Sequence, residues 1–265
     1  MLACDTHVHS YRSFVGDANM TFRHIGASAA ELSIDVVVIA DHLMKSEDVE
    51  NLKRTREELL EFRSSNRAPA LLFGVEVCEI APDGSTLLSP QLVDQMRFEV
   101  VIGGVHETHM PRGASLQDMT RMQHRHHIMM MENPLIDILV HPWWLDFDEF
   151  DRLCIEWPAD MSFIPDSLTV ELAEASRRTG TYIEISTMSG LCNRQTSYRF
   201  KEDLMAYYRL LNREGALFAI GTDAHELSEM STFSAATDLI RTIGIDKDRI
   251  WQPVNQFARL DGEIK

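Results

Sequence analysis

Histidines and carboxylates at strand-like spacings are the chemically informative residues of this chain. The densest group is Asp5-Thr-His7-Val-His9, and Asp223-Ala-His225 repeats the two-residue spacing near the other end. On a strand, side chains at i and i+2 leave the same face, so His7 and His9 can reach one ion while Val8 packs the other way. Between these pairs stand His42, Glu76, His106, His141 and Glu184, each just after a short apolar run. A lone carboxylate such as Glu76, following five apolar residues, is costly to bury; bridging two cations removes that cost. Imidazole and carboxylate donors of this kind suit zinc, manganese or iron. Asp5 and Asp41 are candidates to orient imidazoles from behind.

The elements that must position these residues follow from the same pattern. Seven apolar runs, 2–5, 36–40, 71–75, 100–105, 136–140, 182–183 and 217–220, read as buried parallel strands. The segments between them have helical spacing. Phe22, Ile25, Ala29 and Leu32 share one face, and so do Phe200, Leu204, Tyr207 and Leu211 before Gly215. Ser46 with Glu47 and Asp48 predicts a helix start, and Pro165 opens a helix that closes at Arg177, Arg178 and Gly180. Strand and helix repeated seven times predict an α/β fold, a distorted (β/α)7 TIM-like barrel, with 1–265 as a single domain. In such barrels the chemistry sits at the carboxyl ends of the strands, where these residues fall. Residues 81–90 suggest a small hairpin, and 147–165 a longer excursion. The segment Leu116–Glu132, carrying His124, His126 and His127, is expected to be a surface or half-buried helix.

Composition narrows the function classes. Forty-one acidic against 25 basic residues give a formal charge of −16, which disfavours long nucleic acid. An anionic small substrate stays open, because bound cations supply local positive charge. The four cysteines are scattered, and Cys4 and Cys78 on predicted strands read as core residues. Without a basic, apolar leader or an apolar stretch of ~18–20 residues, no signal peptide or membrane span is expected. Reduced thiols and a cytoplasmic location fit best, with no membrane partner.

The ordered elements DTHVHS, ADH, GVEV, GGVHE, VHP, YIEIS and GTDAH, spread from residue 5 to residue 225, resemble the PHP superfamily, the polymerase-and-histidinol-phosphatase metallo-phosphoesterases. The resemblance implies a (β/α)7 barrel holding two or three divalent ions. It implies a first ion on His7, His9, Glu76 and Asp223, and a second on Glu76, His106 and His141. A third would use His42, His225 and one further ligand, for which Asp17 is the candidate. Within the superfamily the chain is similar to histidinol-phosphate phosphatases, departing from them at Asp17 and Cys192.

What the resemblance implies for activity is hydrolysis of a small phosphomonoester by a metal-bound hydroxide. Two ions bridged by Glu76 would lower the pKa of a shared water from 15.7 toward ~7. Glu76, Asp223, His225 and Glu184 form the expected catalytic set, Glu184 contacting substrate or moving a proton. Arg194 is the preferred phosphate contact among Arg12, Arg112, Arg194 and Arg199. Trp143, with Trp144, is expected to wall the substrate pocket. The alternatives are a phosphodiesterase for mononucleotides or short oligonucleotides, a hydrolase of carbon–nitrogen or carbon–oxygen bonds, or a non-catalytic metal-stabilised module.

Overall fold

The computed structural model describes residues 2–66, 68–78, 80–144, 146–193 and 196–253. Its strands are β1 (Cys4–Val8), β2 (Val36–Ile39), β3 (His42–Leu43), β4 (Ala70–Val77), β5 (Val100–Gly103), β6 (Ile138–Leu139), β7 (Tyr182–Ser186) and β8 (Phe218–Gly221). The helices are α1 (Phe22–Glu31), α2 (Asp48–Ser65), α3 (Pro90–Met96), α4 (Leu116–Glu132), α5 (Phe147–Leu153), α6 (Asp166–Thr179), α7 (Tyr198–Arg213) and α8 (Phe233–Ile243). All strand pairs are parallel, in the order β1-β2-β4-β5-β6-β7-β8, with β3 also paired to β4. The last strand returns to the first: Asp223 N donates to His7 O at 2.8 Å and His9 N to Ala224 O at 2.9 Å. The expected distorted barrel is borne out, with β2 on the predicted 36–40 run and β3 a short strand beyond it that carries His42.

Alternation along the strands builds two apolar layers. Val36, Val38, Ala40, Leu72, Val100, Ile102, Ile138, Val140 and Ala219 fill the barrel interior. Val37, Ile39, Phe73, Val75, Val101, Leu139, Ile183, Ile185, Phe218 and Ile220 face the helices. Continuing the inward set past Leu72 gives Gly74 and Glu76, and continuing it past Ala40 gives His42. The site therefore lies on top of the interior layer, at the carboxyl rim.

β1 needs one correction to this alternation. Cys4 belongs to the interior and Val8 to the helix-facing layer, although both are even positions. Between them the pairing shifts, Asp5 opposing Val37 and Val8 opposing Ile39. That irregularity turns His7 and His9 inward, as bulges beside active sites do.

Several local expectations change. α2 starts at Asp48, whose carboxylate accepts from Met44 N and Lys45 N at 2.9 Å; Ser46 does not cap it. Residues 81–90 hold a turn, with Ala81 N on Ser85 O, in place of a hairpin among the described residues. The 147–165 excursion contains α5. α4 keeps the expected bounds, with a Ser115–Asp118 capping box, but His124, His126 and His127 are buried. Asp5 and Asp41 also act differently from expectation. Asp5 accepts from Thr222 N, Thr222 Oγ1 and His7 N, and Asp41 from Ser10 N, Ser10 Oγ and Thr55 Oγ1. Both brace backbone and hydroxyl groups and touch no imidazole in these bonds.

Asp5 thus ties β1 to the end of β8 through two hydrogen bonds from Thr222. Asp5→Ala should lower unfolding stability by about 3 kcal/mol, read as a shifted urea midpoint at constant slope. A shift under about 0.5 kcal/mol would contradict this role.

Candidate metal centre

Glu76 is the middle of the site. Its side chain is fully buried, inward on β4, and imidazoles face both oxygens. Oε1 lies 2.9 Å from His141 Nε2 and 3.4 Å from His106 Nε2. Oε2 lies 3.1 Å from His42 Nε2, 3.4 Å from His7 Nε2 and 3.5 Å from His9 Nε2. Asp223 Oδ1 stands 3.4 Å from His7 Nε2 and 3.3 Å from His9 Nε2, and those two nitrogens are 3.0 Å apart.

These spacings test whether a cation fits. Donors at 2.0–2.1 Å from a tetrahedral ion stand about 3.3 Å from one another. The five distances among His7, His9, Glu76 and Asp223 scatter around that value. Glu76 Oε2, His9 Nδ1, His141 Nδ1 and His225 Nε2 are buried without a hydrogen-bond partner. Native interiors rarely leave such groups unpaired, and a cation satisfies Glu76 Oε2 and His225 Nε2 as ligands. Three overlapping groups have mutually close donor atoms: His7, His9 and Glu76; His9, His42 and His225; and His42, Glu76, Cys78 and His106. The donor set fits divalent metal.

Burial and charge keep the donors of Glu76, His9 and His42 unprotonated. Burial would raise the Glu76 carboxyl, but the facing imidazoles of His42, His106 and His7 and the His141 hydrogen bond hold it well below the usual carboxylate range. Burial, then the imidazoles of His225 and His7, pushes His9 well down. Burial and His9 drive His42 down to about 2. Neutral imidazole is the metal-binding form, so crowding favours ligation over protonation. His7 and His141 are raised against burial, His7 by Glu184, Asp223 and Glu76, His141 by Glu76.

Four of the six rings, those of His7, His42, His106 and His225, are held through Nδ1 from behind. Glu184 Oε1 is 2.9 Å from His7 Nδ1, and Glu184 Oε2 accepts from His141 N at 2.8 Å. Ser13 Oγ is 2.7 Å from His42 Nδ1, Cys78 O 3.3 Å from His106 Nδ1, and Asp223 O 3.0 Å from His225 Nδ1. Those bonds leave the Nε2 lone pairs for the centre. Two glycines make room: a Cβ on Gly221 would fall 1.8 Å from Glu184 Oε1, and one on Gly104 2.4 Å from His141 Cε1. His141 and Asp223 adopt positive φ, 30° and 58°, so their side chains leave the regular alternation.

The sequence expectations divide accordingly. His7, His9, His42, Glu76, His106, His141, Asp223 and His225 are brought together. Asp17 is exposed, and its Oδ1 accepts from Asn19 N and Nδ2. Its backbone N donates to His225 O at 2.9 Å. Glu184 is wholly buried, with Oε1 against His7 Nδ1 and Oε2 against His141 N. Trp143 is 3 % exposed and packs on His124 and His127 in the core, because its φ of 66° turns it away. Trp144 takes the wall position, its ring 5.3 Å from that of His106 and 5.9 Å from that of His141. Arg194 lies outside the described residues. Arg12 is held by Glu58 and Arg199 by Asp203. Sequence reasoning missed Ser13, Gly104 and Gly221; the GG pair before His106 was the one visible signal.

A buried imidazole–carboxylate cluster at the carboxyl rim of a parallel barrel is the donor arrangement of a barrel metal centre. No protein-family model matches the chain. It is 27% identical over 252 residues to a protein of Syntrophotalea carbinolica named "Probable phosphatase", spanning 93% of this chain and 90% of the relative. It is 23% identical over 255 residues to a like-named protein of a Thermoanaerobacter species, spanning 94% and 89%. Its fold matches the histidinol phosphate phosphatase HisK of Lactococcus lactis, solved with zinc, L-histidinol and phosphate. That match has a TM-score of 0.60 and 14% identity, over 93% of this chain and 95% of the other. These likenesses bear out the resemblance to the PHP phosphatases. Among the described residues, no helix is long and apolar enough to cross a membrane.

Glu184 is the sharpest test of the positioning scheme. An amide offers one acceptor oxygen, so in Glu184→Gln either His7 Nδ1 or His141 N loses its partner. Metal affinity should fall about 10- to 100-fold while the fold persists, measured by competition with a chromophoric chelator. Unchanged affinity would refute it.

Proposed function

We propose that the chain acts as one catalytic domain, a metal-dependent phosphoesterase that hydrolyses a small phosphomonoester. The observation that carries this is Glu76, a buried carboxylate shared among His7, His9, His42, His106 and His141 at 2.9–3.5 Å. His7, His9, Glu76 and Asp223 would hold one ion, Glu76, His106 and His141 a second, and His42 and His225 a third. Zinc, manganese and iron all suit these donors, and zinc in the HisK neighbour favours zinc. Divalent ions held there would supply Lewis-acid charge for phosphoryl oxygens and a nucleophile from water near neutral pH.

The protein's own part is positioning. Glu184, Ser13 and the Cys78 carbonyl fix the His7, His42 and His106 rings, so little reorganisation is needed when substrate binds. Asp223, 16 % exposed at its side chain, is the most open of the carboxylates at the centre and faces incoming substrate. Trp144 shields the His106–His141 side from bulk water. The histidinol and phosphate bound to HisK support a small phosphorylated metabolite as the substrate class. The four unpaired cysteines support a cytoplasmic site of action.

Metal-loaded protein should release phosphate from an aryl phosphate or from a member of a metabolite phosphomonoester panel, and chelator should abolish release. Glu76→Gln should lower kcat/KM by about 10²-fold or more, because the shared oxygens lose their charge. No phosphate release from a fully loaded sample on either panel would overturn the reading.

A further inference from the structure

We propose that Cys78 supplies a thiolate ligand to the metal centre, completing with His42, Glu76 and His106 a four-donor site on its His42 side. This deepens the phosphoesterase reading by naming a donor that selects the ion, and it rests on the metal centre of that reading. Cys4 and Cys78 are both buried, as the sequence leads one to expect, but their surroundings differ. Cys4 packs in the interior apolar layer, whereas among the described residues neither apolar layer includes Cys78. Cys78 directly follows β4 and continues its inward set of Leu72, Gly74 and Glu76, so its side chain leaves on the face that carries Glu76. Its Sγ lies 3.4 Å from Glu76 O, a weak S–H contact.

The donor atoms of His42, Glu76, Cys78 and His106 all lie within 4.8 Å of one another. Around a tetrahedral zinc, a thiolate sulfur at about 2.3 Å and an imidazole nitrogen at about 2.0 Å stand about 3.6 Å apart, so small side-chain rotations close the set. Glu76 Oε2 points to a cation independently, being buried without a hydrogen-bond partner and 3.1 Å from His42 Nε2. The backbone of Cys78 is pinned on both sides, N donating to Leu43 O at 3.3 Å and O lying 3.3 Å from His106 Nδ1. The residue that aims the His106 ring therefore offers its own sulfur to the same ion. The thiol also answers a shortage: the Asp17 carboxylate is taken by Asn19, so an ion at His42 lacks the acidic ligand expected there. In the metal-free protein, burial and the Glu76 carboxylate push the Cys78 thiol well up. Coordination reverses this, as the S–H bond breaks, the S–metal bond forms and the proton leaves to water. A soft thiolate beside imidazoles and a carboxylate favours zinc over manganese.

Full-length protein with its metal exchanged for cobalt(II) tests this, because sulfur bound to cobalt gives an intense charge-transfer band in the near ultraviolet. Wild type should show the band, and Cys78→Ser and Cys78→Ala should lose it. A variant carrying Cys4→Ala, Cys154→Ser and Cys192→Ser, which keeps Cys78 alone, should retain it. X-ray absorption of the zinc-loaded wild type should find a sulfur neighbour at about 2.3 Å. Zinc affinity, measured by chelator competition, should fall about 100-fold or more in Cys78→Ala, at least as much as the loss of an outer partner costs. Manganese affinity should change far less. Cobalt bound without the band, or a band that persists in both Cys78 variants, overturns thiolate ligation and leaves the phosphoesterase centre standing. The wild-type band, the zinc–sulfur distance and the variant that keeps Cys78 decide the question even where a Cys78 variant fails to fold. Protein that binds neither cobalt nor zinc overturns both readings. A band and a sulfur neighbour without phosphate release would uphold the ligand and sink the phosphoesterase.

Discussion

One buried carboxylate sets the terms for this molecule. Glu76 lies buried at the centre of the barrel mouth with five imidazoles turned toward it. A negative group so enclosed is tolerable only when positive charge meets it, and the rings of His9, His42 and His106, held neutral by burial, offer dipoles and lone pairs in place of that charge. The lone pairs oppose the carboxylate as much as the ring N–H groups help it. A cation reconciles them all at once, turning mutual repulsion among donors into coordination. The barrel around Glu76 is the scaffold that makes this crowding affordable.

The scaffold does so by an even division of labour along each strand. Branched side chains below the rim weld the interior, and the next inward position carries a donor. β4 shows it within a few residues: Leu72 packs, Gly74 yields space, Glu76 acts. A change in the packing layer therefore displaces chemistry directly above it, since interiors this dense transmit strain. The helices contribute mostly at a distance, by pressing the strands together from outside. The side chains that aim the rings come from strands and strand-end loops.

Much of this was legible in the sequence, for a reason. A ligand at the end of an apolar run announces both its strand and its location, so eight donors and the barrel could be read from spacing alone. The errors share another cause: they concern where a side chain points after regular backbone ends. Trp143 and Trp144 are neighbours of like chemistry, and only a positive φ sends one into the core and leaves the other at the mouth. Asp17 has the right chemistry at a plausible distance, but its own turn claims the carboxylate. Glu184 looked reactive because it sits on a strand end like the others; Gly221, on the next strand, lets it sink behind His7. Periodicity carries no information about such turns, and the irregular pairing in β1 is equally silent in composition.

The seam where β8 meets β1 has a consequence for how the chain is made. Asp5 and Thr222, bonded across that seam, are 217 positions apart. Closing so long a loop is entropically expensive and rewards nothing until both ends are present. During synthesis the first histidine pair emerges early and must wait, unpartnered, for nearly the whole polypeptide to follow. Competence to capture metal therefore arrives late and abruptly, as the final strand docks, so that a truncated or half-made chain cannot hold the finished centre.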